Sequence, residues 1–286
     1  MDKQKQAVIY IVISAFCFSV MSFFVRLSGD MPVLQKVFFR NLVAAALAFP
    51  VFMRERGSLP GGPVVRKDLL CRVVFGTIGI FCNFFAIDHM NLSDSNMLLK
   101  LSPFFAIIAS VFILKEIPKK TDWLVLLVVF MGALLIMKPS MSAEFGYALV
   151  AVTAAASAGT AYTFVRKLGK DGVKGSAVVL AFSLFSCLVS LPFCIYNHFR
   201  MTWQQLALLV LAGICAAGGQ FAITAAYQKA EAKNISVFEY TQILFAALLG
   251  FLFLDQVPDG LSIAGYIIII GGSLMKQRLN RKESLA

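Results

Sequence analysis

The sequence predicts an all-α integral membrane protein of ten transmembrane helices, arranged as two inverted five-helix repeats. Three observations carry that prediction: the hydropathy, the placement of the charges, and a self-similarity at a fixed offset. Of 286 residues, 59% are hydrophobic and 14% charged, against about a quarter charged in an average soluble domain; the mean hydropathy is +0.81. A soluble fold of this size cannot withdraw so much Leu, Val, Ile, Ala and Phe from water, so the solvent around it is lipid.

Charges cluster between runs that hold none, among them 6–25, 145–165, 175–197 and 201–228. A helix needs about 20 apolar residues to cross about 30 Å of hydrocarbon. Ten segments meet this once a flanking or embedded charge is admitted: 7–25, 33–53, 69–87, 95–114, 122–138, 145–165, 175–197, 205–227, 235–254 and 260–276. They lack the alternation of barrel strands and are much too long for them. The first is read as a retained helix, because no small-residue cleavage site precedes the next charged loop.

With the N-terminus placed in the cytoplasm, 19 of the 26 lysines and arginines fall in cytoplasmic segments, and Arg26, Lys138 and Arg200 fall opposite. Lys36, Arg40, Arg72 and Lys100 lie inside spans. This is a positive-inside signal: both termini are expected in the cytoplasm of a multi-pass protein of the cell membrane. The formal charge of +11 then reports topology, and no nucleic-acid partner is expected. All six cysteines fall within spans without paired spacing and read as packing residues. His89 and His198 are isolated at loop edges, which predicts no metal site. No Walker loop or dinucleotide fingerprint is present, so no cofactor is expected.

Shifting the chain by 140 residues aligns its halves. Phe24-Val25-Arg26 falls on Phe164-Val165-Arg166, Gly79 on Gly219, Phe105-Ala106 on Phe245-Ala246, Pro118 on Pro258 and Gly132 on Gly272. Only the second and seventh spans need a two-residue slip, which brings Pro50 onto Pro192. The repeats are expected over 1–140 and 141–286. Five spans each is an odd number, so the second half enters the membrane upside down. Inverted repeats of this kind build alternating-access carriers with a site near the midplane.

In this order the residues resemble the drug/metabolite transporter superfamily, in its ten-helix form of two EamA-type domains. The resemblance rests on Phe38-Phe39-Arg40, Ala86-Ile87, Leu101-Ser102-Pro103-Phe104-Phe105, Leu114-Lys115-Glu116, Gly132, Gly265 and Gly271-Gly272. Arg40 together with Arg72 looks most like members described as carriers of S-adenosylmethionine or other organic metabolites. It implies carrier transport and leaves the substrate open.

A charge within a span is a functional candidate by default. Counting at 1.5 Å per residue puts Arg40 roughly 10 Å and Lys100 roughly 8 Å below the outer surface, with Glu239 and Arg72 roughly 5 to 6 Å from the inner one. Lys100 and Glu239 are therefore expected to stand roughly 16 Å apart along the normal and not to touch. Arg72 is expected to pair with Glu239 instead, as a cytoplasmic gate. Helical spacing groups Arg72, Gly76, Gly79 and Asn83 on one face, and Asn96, Lys100 and Pro103 on another. Glu239 with Gln242, and Lys36 with Arg40, head two further polar faces expected to point inward. Arg40, Lys100, Asn83, Asn96, Tyr162, Tyr240 and Gln242 are the substrate-binding candidates. Glu239 and Arg72 are candidates for gating or proton coupling, and Pro103 for a hinge.

These features predict a secondary carrier of a small organic solute, anionic or zwitterionic because the inward faces hold three cations to one carboxylate. Its partners would be that solute, the lipid bilayer and, where transport is proton-coupled, protons; the oligomeric state is open. An exporter of drugs or of hydrophobic or cationic metabolites is the alternative. A membrane-embedded enzyme and a channel subunit are weaker rivals, since the spans hold no His/Asp/Glu cluster and the chain no sensor domain.

Overall fold

The computed structural model describes residues 3–29, 31–55, 62–89, 96, 98–138, 145–196, 200–253 and 257–283. Every regular element among them is helical. The first five are α1 (Lys3–Leu27), α2 (Val33–Arg54), α3 (Pro63–His89), α4 (Ser102–Leu114) and α5 (Lys120–Met137). The second five are α6 (Phe145–Lys170), α7 (Gly175–Tyr196), α8 (Trp203–Lys229), α9 (Ala232–Phe253) and α10 (Gly260–Glu283). Eight of these are long and apolar enough to cross a membrane. The other two are α3, which is long but opens with Arg66, Lys67, Asp68 and Arg72, and the short α4.

The helices run past their apolar cores. Six residues precede the expected start of α3, and α10 continues to Glu283, because a helix leaving the bilayer need not end where its apolar stretch does.

Packing follows the repeat. Helix α1 lies against α8, and its counterpart α6 against α3; α4 lies against α6, and its counterpart α9 against α1. Helices α2 and α7 pack on each other, as do α5 and α10. The main interfaces thus join one half to the other. With no hydrophobic drive between helices in lipid, close approach is set by small residues. At Gly159 a side chain would begin 2.5 Å from the Ala106 backbone nitrogen, so α6 meets the start of α4 backbone to backbone. At Gly265 one would begin 2.5 Å from the Gly132 carbonyl oxygen, closing α10 on α5.

Candidate functional site

Two helices are interrupted at matching places. Helix α4 begins only at Ser102, after a turn at Lys100 and Leu101. Pro103 occupies its first turn, where a missing N–H does no harm. The Phe104 N–H, which in a continuous helix would serve the Lys100 carbonyl, bonds Leu101 O instead at 3.0 Å. In α9 the break is a 3₁₀ segment, Ser236–Tyr240, between α-helical Ala232–Ile235 and Thr241–Phe253. Lys100 and Tyr240 are 140 residues apart, equivalent in the repeat, and the Tyr240 hydroxyl donates to the carbonyl that Lys100 has freed, at 2.6 Å. One break is thereby satisfied by the other. Interrupted helices of this kind are tolerated in membranes where they are buried or line a cavity.

Side chains converge on this junction. The Lys100 ammonium donates to Gln242 Oε1 at 2.8 Å and lies within electrostatic reach of Glu239. The Tyr227 hydroxyl donates to Glu239 Oε1 at 2.5 Å. Tyr162 stacks on Tyr227 with ring centroids 4.9 Å apart and 13° between planes, close enough to Arg40, Arg72 and Glu239 to feel the charge of each. Arg40, Lys100, Tyr162, Glu239 and Gln242 are half-buried, while Tyr227 and Tyr240 are fully buried. Three helices of the second half and three of the first thus bring an acid, three cations and three phenols together.

Two expectations change. Lys100 and Glu239 make no ion pair, as expected, but they stand nearer than the expected separation, within electrostatic range in one cluster, because α9 starts at Ala232 and not at 235. Counting from there, through a 3₁₀ stretch with its greater rise, carries Glu239 to a depth of about 12 Å. The pairing of Arg72 with Glu239 is not made in this structure. Arg72 is 2% exposed, its guanidinium lies 4.3 Å from the Phe182 ring centroid, and Glu239 is held by Tyr227.

Asn83 and Asn96 are half-buried, and neither side chain hydrogen-bonds to a member of the cluster. Tyr227 was not among the sequence candidates. Its one signal was a phenol in the middle of an apolar run, which needs a partner when buried. A separate crevice of about 630 Å³ opens between α2, α7 and α8, lined by Phe38, Phe39, Cys194, Arg200 and Trp203 among others.

The EamA-like transporter family model matches residues 5–138 and again 145–276. The pseudopaline exporter of Pseudomonas aeruginosa is 35% identical over 98% of this chain and 99% of its own. The riboflavin transporter of Vibrio cholerae is 30% identical over 75% of this chain and 72% of its own. Human solute carrier family 35 member G1 is 25% identical over 93% of this chain and 77% of its own. A crystal structure of a protein with 16% identity shares the fold, with a TM-score of 0.81 over 96% of this chain and 99% of that one.

Proposed function

The chain belongs to the EamA-like transporter family, and from that premise we propose that it is a proton-coupled secondary carrier of an anionic or zwitterionic organic solute. The terminus-bearing face is the cytoplasmic one by the positive-inside count, and the solute moves outward, as the name of the Pseudomonas relative suggests. The observation that carries the reading is the junction of the two interrupted helices, where Lys100, Gln242 and Glu239 meet. A carboxylate of the solute displaces Gln242 from Lys100, and an ammonium group competes with the proton for Glu239. A carboxylate deep in a membrane protein is a natural proton carrier, and Tyr227 keeps it oriented. Three cations to one acid make the cluster a poor receptor for a purely cationic drug.

The test is solute flux in proteoliposomes with and without a pH gradient, across amino acids, carboxylates and nucleoside-like metabolites. Glu239→Gln is expected to weaken exchange of solutes that carry an ammonium group and to lose gradient-driven accumulation altogether. Undiminished accumulation in that variant would remove Glu239 from the coupling step.

A further inference from the structure

Arg40 and Arg72 take no part in the hydrogen bonds of the junction just described, and their surroundings are unusual. Each has a buried Nε that donates to nothing, and neither pairs with a carboxylate among the described residues. A guanidinium does not shed its proton at physiological pH, so burial cannot be relieved by neutralisation, as it can for lysine. Arg72 is nevertheless built in. Its guanidinium is 4.3 Å from the centre of Phe182, and its Nη1 fills the space where a side chain on Gly76 would begin. Both arginines lie within electrostatic range of Tyr162, the ring that stacks on the Tyr227 holding Glu239. Among the described residues the protein thus maintains two permanent cations, with unbonded Nε donors, beside a cluster whose acid, Glu239, is already engaged by Tyr227.

We infer that Arg40 and Arg72 form a second anion station, so that the solute is an amino-acid-like zwitterion bearing an additional carboxylate. This rests on the carrier reading above and deepens it. The α-amino and first carboxylate groups engage Glu239 and Lys100, and the additional carboxylate accepts from the open guanidinium donors near Tyr162. Arginine suits this role because its planar fork meets a carboxylate through two parallel bonds. Half-buried Arg40 meets the anion first, and Arg72 completes its coordination as the site closes.

The experiment compares glutamate with glutamine, which match in shape and differ by one carboxylate, on the purified full-length protein in lipid nanodiscs. Affinity and ligand-induced thermal stabilisation are both read. Wild type is expected to prefer glutamate by about tenfold or more, the value of a charge-assisted hydrogen bond. Arg40→Gln and Arg72→Gln are each expected to bring that preference close to one. The empty-protein melting temperature separates this from a structural role: Arg72→Gln removes an uncompensated buried cation and is expected to leave it unchanged or raised, whereas a scaffold arginine would lower it. Arg72→Lys, which keeps the charge without the fork, is expected to restore only part of the preference. Equal affinity of wild type for both probes overturns the inference while leaving the carrier reading intact, and so does failure of both to bind. A preserved preference in Arg72→Gln removes Arg72 from the station. The carrier reading fails separately, if no solute in the flux screen is moved.

Discussion

The two faces of the bundle are held together differently. At the face carrying both termini, acids of the first half meet bases of the second: Glu116 accepts from Arg166 at 3.2 Å and Lys170 at 2.6 Å, and Asp68 accepts from Lys167 at 2.9 Å. Ser176 donates to Glu55 at 2.5 Å, and Lys233 to the Ile117 carbonyl at 3.0 Å. At the opposite face, among the described residues, α8 and α1 are tied by one neutral bond, Gln205 Nε2 to Ser28 O at 3.2 Å. There a crevice opens between α2, α7 and α8, with the Cys194 thiol donating to Leu34 O at 3.7 Å beside it. Helices α5 and α10 differ from both faces, being pinned at each end by Asp122–Lys276 and by Lys138–Asp259. The difference teaches which parts are positioned to move. On the carrier reading proposed above, the α5–α10 pair would serve as a fixed post, and the ion pairs around Glu116 as a latch at the terminal face.

Breaking the post should have the largest effect. Asp122 and Lys276 are 4% and 2% exposed at their side chains, and removing one partner of a buried pair costs about 3 to 5 kcal/mol. Asp122→Asn should therefore lower the detergent-solubilised melting temperature markedly, whereas Asp122→Leu with Lys276→Met should recover most of it. If the single variant melts like wild type, the pair does not secure the post.

The latch comes next. Glu116→Gln releases two bases at once, but the Lys170 side chain is 44% exposed and solvent screens its share. About 1 to 2 kcal/mol remains, enough for roughly a tenfold shift toward the state open at the terminal face. Maleimide labelling of Ser110→Cys, buried on α4, should accelerate by that factor from the terminal side. Asp68→Asn removes one pair with a partly exposed Lys167 and should shift the same readout by only a few-fold.

Least sensitive is the outer tie. Lys138 and Ser262 hold the Asp259 carboxyl well below the usual carboxylate range by hydrogen bonding. A depressed pKa means that its small contribution is present above the ordinary aspartate value of about 4 and fades only as pH falls toward the folded value. Wild type and Asp259→Asn should accordingly show nearly coincident melting curves from neutral to mildly acidic pH. A separation that opens near neutrality would show this tie to be stronger than its exposure implies.

Much of this was legible in one dimension because membranes impose simple rules. Charge-free runs located the helices, and the constant 140-residue offset supplied the packing equivalences, such as α1 on α8 with α3 on α6. Pro103 marked the interruption in α4. The interruption in α9 left no trace, since Ser236–Tyr240 contains neither Pro nor Gly and packs against α1 and α5 of the other half. That hidden 3₁₀ segment is why depth counting separated Glu239 from Lys100. The latch and the post were unreadable for a related reason: Glu116, Asp68 and Asp122 sit at helix ends that look solvated, and their partners lie about 50 to 150 residues away in the other repeat. Tyr227 stayed hidden because its partner arrives from α9.

In the carrier proposed above the two halves rock about this junction, and the ion pairs at the terminal face would hold it closed there. Distances between spin labels on opposite halves test it most directly, using K67C with K174C at the terminal face and L27C with W203C at the other, in a background free of native cysteines. All four positions are exposed. Wild type should give one short terminal-face distance; Glu116→Gln should add a longer population there and shift the opposite pair in the reverse sense. A single unchanged distance at both faces, in both proteins and across a pH gradient, would contradict the account.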